Sequence, residues 1–259
     1  MPFDAALVVA LSITSALLVA LLVVVAARRR AAKEEELRRA ASSRGWTFES
    51  TSSRGSRVRR WRGTTDGVAW TIESVPRTTG KNTQETRRQI TRWHTASGLG
   101  TAAPIFCMGV APGKEVPSFD FAKGDGWIAQ AAQKAVGFGL DKAIDMYFGE
   151  EAGRAVDAGT LRRVESETVP GFVVMAGDVS EAARVLFQGL KAALADVSVP
   201  GDHHSSVLLS KHGIALARMQ QIDAADDLET LIKNGLRLRR ATTFGRPARG
   251  SHSSPGTAS

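Results

Sequence analysis

The sequence predicts an α+β protein in which an N-terminal transmembrane helix precedes an antiparallel-sheet domain with about three covering helices. Three observations lead to this fold class: an uncharged apolar run at the start, a period-two alternation around an Asp-Gly turn, and three later segments with helical spacing of apolar residues. They divide the chain into a transmembrane anchor (1–27), a juxtamembrane helix with a Ser-rich linker (28–56), a soluble α+β domain (57–243) and a disordered tail (244–259).

The apolar run is uncharged from Ala5 to Ala27. At about 1.5 Å per residue it makes a helix of roughly 35 Å, enough to cross a hydrocarbon core of about 30 Å. A cleaved signal peptide is the alternative, but such a peptide normally has a basic n-region and an apolar stretch of about 7–15 residues. Asp4 is the one charged residue before this run. The pattern therefore favours a retained single-pass anchor.

Basic residues flank the span on its C-terminal side. We expect the following residues to lie at the membrane surface: Arg28, Arg29, Arg30, Lys33, Arg38 and Arg39. The positive-inside rule then places the N-terminus outside the cell membrane and the C-terminal body in the cytoplasm. Cations near an anionic leaflet gain about 1 kcal/mol each, which makes the lipid bilayer the first predicted partner.

The net charge of +8 is unevenly distributed and argues against nucleic-acid binding. Residues 28–94 carry a net +10, residues 95–235 carry −6, and residues 236–259 carry +5. The basic cluster of the body is Arg57, Arg59, Arg60 and Arg62. Because neighbouring strand residues alternate between the two sides of a sheet, these four cannot form one exposed stripe.

The remaining elements follow from periodicity and turn signals. A helix is predicted at 31–44, and the other helices are predicted at Trp127–Phe148, Ser180–Val197 with Asp178 and Glu181 at its start, and Asp223–Ala241. The predicted strands are Trp46–Glu49, Val58–Arg62, Val68–Val75, Arg87–Thr95, Ala103–Val110, Phe172–Ala176, Ser206–Ser210 and Gly213–Met219. This order predicts helices that cover one face of the sheet.

Candidate site residues are few. Trp61, Trp70 and Trp93 lie in neighbouring strands, where they either pack the sheet against a helix or form an aromatic binding surface. The carboxylates Asp141 and Asp145 and the adjacent imidazoles of His203 and His204 could belong to an enzyme site in the acidic central region.

Signatures of the common enzyme and metal sites are missing from the sequence. It lacks a G-x-S-x-G elbow, an H-E-x-x-H motif, a P-loop and a cysteine pair, and the lone Cys107 sits in an apolar run that predicts a buried thiol. We therefore predict no catalytic residue, no metal site and no cofactor.

Three features of the sequence carry a resemblance to known proteins. They are the span, a juxtamembrane Arg/Glu helix ending in Arg44-Gly45-Trp46, and a hairpin with Arg62-Gly63 and Asp66-Gly67 that leads to Trp70. In these features the chain resembles uncharacterised bacterial single-span membrane-anchored proteins with a domain of unknown function. The resemblance implies a membrane location and supplies no catalytic residues.

Together these observations predict a membrane-tethered cytoplasmic domain that is a non-enzymatic module for binding a protein, a second copy of itself or the lipid surface. A membrane-bound enzyme with its site in the acidic central region is the alternative.

Overall fold

The computed structural model describes residues 5–53, 56–79, 86–96, 101–110, 127–165, 169–197 and 205–243. The helices in these ranges are α1 (Ala5–Ser43), α2 (Trp127–Phe148), α3 (Glu150–Ala155), α4 (Val179–Val185), α5 (Lys191–Val197) and α6 (Ala225–Thr243). The strands are β1 (Thr47–Ser53), β2 (Ser56–Thr65), β3 (Val68–Thr79), β4 (Thr86–Thr95), β5 (Ile105–Gly109), β6 (Arg162–Arg163), β7 (Phe172–Ala176), β8 (Ser205–Ser210) and β9 (Gly213–Arg218). The predicted α+β fold class is confirmed.

These nine strands form one antiparallel sheet with the order β1-β2-β3-β4-β9-β8-β5-β7-β6. The first four follow one another as a meander, and β4 then pairs with β9, which comes more than a hundred residues later. Asp66 and Gly67 join β2 to β3 with φ angles of 52° and 72°. An Asp-Gly pair adopts this left-handed backbone readily, so the predicted hairpin is confirmed.

Helices cover both faces of the sheet, and the prediction that they cover one face is wrong. On β5 the side chains of Ile105 and Cys107 join a core with α4, α5, α6 and the C-terminal part of α1, whereas Phe106 joins a second core with α2 and α3. The physical reason lies in the central strands. All five residues of β7 are buried, as expected for a strand covered on both sides.

The helix α1 runs without interruption from the apolar segment into the sheet domain. Its exposed apolar stretch gives way to Leu37 and Ala41, which are buried in the core. Among the described residues, α1 is one helix long and apolar enough to cross a membrane. The stretch Ser50–Ser53, predicted to be linker, instead belongs to β1, and Ser50 pairs with Arg59 of β2. The linker prediction is therefore wrong for these residues.

The predicted helix over 180–197 is present but divided. Asp178 caps its start by accepting a hydrogen bond from the backbone N–H of Glu181 at 2.9 Å. A wide turn over Leu186–Leu190 separates α4 from α5, because Gly189 has φ 130°. The expected position of the helix is confirmed, and its continuity is not.

Candidate functional site

A cleft of about 770 Å³ lies over the face of the sheet that α2 and α3 cover. Its volume falls in the range of roughly 300–1,000 Å³ that is typical of small-molecule sites. Strands β2, β3, β4, β8 and β9 form its floor, and the chain from the end of α2 through α3 forms its wall. The polar lining includes Arg60, Glu73, Arg77, Arg92, His94 and His212. The apolar lining includes Phe148, Ala152, Ala155, Leu208, Ile214 and Ala215.

Three charged residues of the floor lie directly opposite one another on adjacent strands. Arg60 in β2 is paired with Glu73 in β3, and Glu73 is paired with Arg92 in β4. Glu73 accepts a hydrogen bond from Nε of Arg60 at 2.7 Å and another from Nη2 of Arg92 at 3.2 Å. One carboxylate thus stands between two guanidinium groups, so this row has an excess of positive charge.

Arg92 also connects the sheet to the helical layer. Its Nη1 donates a hydrogen bond to the carbonyl oxygen of Phe148 at 2.5 Å. The next residue, Gly149, has φ +90°, and a Cβ there would lie 2.4 Å from that same Nη1 and 3.7 Å from Nη2 of Arg77. A side chain at position 149 would be strained and would collide with Arg92. Gly149 therefore allows two guanidinium groups to approach the same point of the backbone.

Burial governs the electrostatics of the floor. It lowers the pKa of Arg92, and while Glu73 opposes the change, Arg77 and Arg60 reinforce it. Burial likewise lowers the pKa of His94 from its ordinary value of 6.5, again against the effect of Glu73. The His94 imidazole is therefore mostly neutral at pH 7, so the permanent charges of the arginines dominate the floor.

The predicted membrane-surface cations Arg28, Arg29, Arg30, Lys33, Arg38 and Arg39 are exposed on α1. Arg28, Arg29 and Arg30 directly follow the apolar segment. Lys33 lies 3.7 Å from a carboxylate oxygen of Asp223, and Arg39 is paired with Glu35 at 3.1 Å. Contact of these residues with lipid remains a prediction.

The three tryptophans are part of the core. Trp61 and Trp93 are fully buried and Trp70 is 3% exposed, so they do not form an exposed aromatic binding surface. Trp93 packs against α6 at Gly235, where a Cβ would lie 2.2 Å from the indole ring. Trp70 donates a hydrogen bond from Nε1 to Thr65 at 3.0 Å. The tryptophans point into this core, and the polar residues that alternate with them along the strands point to the opposite face of the sheet.

The structure describes two of the four residues of the enzyme hypothesis. Asp141 and Asp145 lie on α2 and are absent from the cleft lining. His203 and His204 lie outside the described residues, so their part of the hypothesis stays a prediction.

The arginines of β2 are divided between the two faces, as the sequence analysis expected. Arg59 is buried and donates to the carbonyl oxygen of Ile222 at 3.0 Å, whereas Arg60 faces the cleft. Arg57 is paired with Glu34.

Sequence reasoning missed the cleft, although part of its signal was present. In β3 and β4 the polar residues Glu73, Arg92 and His94 alternate with buried Ile72 and Trp93, which indicates a polar opposite face. The helical wall that turns this face into a cleft lies more than fifty residues further along the chain.

Comparisons with known proteins assign no family. No family model and no curated protein matches the chain. Among solved structures, the chain matches the crystal structure of the mycobacterial trehalose monomycolate transport factor A, TtfA, with 8% sequence identity and a TM-score of 0.47. The match covers 83% of this chain and 97% of that chain.

Proposed function

We propose that this chain is a membrane-tethered, non-enzymatic binding module whose sheet domain is fixed at the cytoplasmic surface of the cell membrane. The observation that carries the proposal is the continuity of α1. It is one helix over Ala5–Ser43, with exposed apolar side chains in its first part and buried Leu37 and Ala41 in its second. A flexible connection between anchor and domain is therefore absent from this part of the chain.

The spacing along α1 supports a close approach of the domain to lipid. Leu37 follows the end of the apolar run by ten residues, which corresponds to about 15 Å of helix. The headgroup region on each side of the hydrocarbon core is about 5–8 Å thick, so Leu37 would lie a few ångströms beyond it. Arg28, Arg29 and Arg30 would then reach anionic headgroups while the domain sits directly beneath them.

Ion pairs fix the angle at which the helix meets the domain. Glu34 of α1 accepts from Arg57 of β2 at 2.8 Å, and Arg44 just after α1 is paired with Glu229 of α6. With Leu37 and Ala41 buried between them, these contacts hold α1 against two different elements. Such a module presents one defined surface to the bilayer and another to a partner protein or a second copy.

A labelling experiment on intact cells tests this topology. The chain carries Cys107→Ala and Ser259→Cys, and a membrane-impermeant maleimide is added before or after lysis. We expect the chain in the membrane fraction, with Cys at 259 labelled after lysis alone. Labelling of intact cells, or recovery from the soluble fraction, would contradict the proposal.

A charge-matched pair of variants tests what sets the orientation. Replacing Arg28, Arg29 and Arg30 by Gln should raise the labelled fraction in intact cells, because orientation depends on cations within about 15–20 residues of the span. The control with the same loss of charge far from the span is K81Q/R246Q/R249Q, which should leave the labelling unchanged. Equal effects of both triples would show that net charge alone is responsible.

A further inference from the structure

We propose that the cleft over β3, β4 and β9 is a binding site for a small organic anion with an apolar body. The anionic group, a carboxylate or a phosphate ester, would lie at Arg77 and Arg92, and the apolar body would lie along the wall from Phe148 to Ala155. This inference goes beyond the proposed function, and it does not depend on the direction of α1 in the membrane.

The charge of the floor supports an anion. Glu73 accepts hydrogen bonds from both Arg60 and Arg92, so its single negative charge is shared by two cations. Arg77 lies on the same face of β3 and forms no ion pair with any carboxylate that the structure describes. The floor therefore has two positive charges in excess. An anion placed there would form charge-assisted hydrogen bonds, which are stronger than neutral ones.

The acidic residues of the opposite wall do not cancel this charge. Glu150 is paired with Arg154 on α3 at 3.1 Å, and both side chains are exposed to solvent, which screens them. Glu151 is exposed as well, and although its charge raises the pKa of Arg92, one carboxylate does not offset the two excess positive charges of the floor. The arrangement favours entry of a ligand with its anionic end towards β3 and β4.

The rest of the lining is suited to an apolar body. Leu208 and Ala215 of the floor lie on the same side of the sheet as α3, whose Ala152 and Ala155 line the wall. Phe148, whose carbonyl oxygen accepts a hydrogen bond from Arg92, also lines the cleft. Small side chains on the wall leave the space of about 770 Å³ open. A purely inorganic anion would fill a small part of it and would leave the apolar surface in contact with water.

Equilibrium dialysis of the full chain in nanodiscs of neutral lipid, with empty nanodiscs as the blank, tests this proposal. Decanoate, decanol and decyltrimethylammonium share one chain length and differ in head charge, and we expect decanoate to bind tightest. Phenyl phosphate and inorganic phosphate complete the set. Preference for decanoate over phenyl phosphate would identify a lipid-derived ligand, and the reverse would identify a water-soluble metabolite.

Two variants locate the bound anion. Arg77→Gln should weaken binding of the preferred anion at least about tenfold, since a hydrogen bond to a charged group contributes about 1.5–3 kcal/mol. Arg163→Gln removes the same charge from an exposed position on β6, outside the cleft, and should leave the affinity unchanged. Ala155→Trp narrows the cleft from its exposed side and should also reduce binding.

Several results would overturn the proposal. The first is that no anion binds above the blank, and the second is that decanol or the cationic amphiphile binds as tightly as decanoate or more tightly. The third is that inorganic phosphate binds as tightly as the organic anions. The fourth is that the Arg77 and Arg163 variants lose the same amount of affinity.

Discussion

The contact between Gly235 of α6 and Trp93 of β4 gives the sharpest prediction about the stability of this fold. A Cβ at position 235 would lie 2.2, 2.4 and 2.5 Å from three atoms of the indole ring. Carbon atoms in favourable contact are about 3.5–4.0 Å apart, so the helix or the ring would have to move by more than about 1 Å. Trp93 is fully buried in the core, so a shift of its ring would displace other core side chains.

Gly235→Ala therefore combines two opposing effects. Alanine is favoured over glycine in a helix by about 1 kcal/mol, whereas overpacking a buried site costs about 1–3 kcal/mol. Because three ring atoms are involved, we expect the upper end of that cost and a net loss of about 2 kcal/mol in the free energy of unfolding. At Gly139 of α2, no described atom outside the local helix backbone lies within 4 Å of the Cβ position, so Gly139→Ala should gain about 1 kcal/mol.

The two alanine variants should thus differ by about 3 kcal/mol, which corresponds to a difference of about 6–12 °C in Tm for a chain of this size. Near-ultraviolet circular dichroism of the full chain in detergent micelles measures this difference. A Gly235→Ala variant as stable as the parent chain would refute the direct packing of α6 on the indole.

A double-mutant cycle isolates the contact itself. In a Trp93→Phe background the smaller ring makes room, so Gly235→Ala should cost at least about 1 kcal/mol less than in the parent chain. Equal costs in both backgrounds would assign the effect to α6 alone.

Three further predictions concern single side chains. Burial raises the pKa of the Cys107 thiol to about 12, so a thiol reagent at pH 8 should modify it in denaturant and leave it unmodified in the native chain. Burial lowers the pKa of His94, so the stability that the neutral imidazole contributes is complete above about pH 6.5 and is lost as the pH falls through the lowered pKa. Below about pH 6.5 the Tm of His94→Gln should therefore fall less steeply with pH than the Tm of the parent chain. Equal slopes would contradict this. Glu181 accepts hydrogen bonds from the backbone N–H groups of Ala102 and Ala103 at 3.3 and 3.2 Å, so Glu181→Gln should cost about 1 kcal/mol in thermal unfolding, whereas the exposed control Glu165→Gln should be neutral.

Local patterns were sufficient to predict most of the elements. The Asp66-Gly67 turn, the alternation of Val68, Trp70 and Ile72, and the Asp178 cap each depend on a few neighbouring residues, and each is present in the structure. The buried run of β7 also held a signal for helices on both faces, because a half-exposed strand would alternate.

The cleft could not be predicted in the same way. It needs the pairing of Glu73 with Arg92, which depends on the register of two strands. It also needs the hydrogen bond from Arg92 to the carbonyl oxygen of Phe148, which joins residues 56 positions apart. The division of the 180–197 helix depends on the positive φ of Gly189, and helical periodicity does not report a backbone angle.

Because Leu37 and Ala41 of α1 are buried in the core, a change in the direction of α1 also reorients the sheet domain. A transmembrane helix responds to a thinner bilayer by tilting, and here a tilt of the helix is a rotation of the whole sheet. The mouth of the cleft would turn relative to the membrane plane by the same angle. If α1 spans the bilayer as proposed, bilayer thickness or the packing of α1 against another transmembrane helix would set the direction from which a ligand reaches the arginines of β3 and β4.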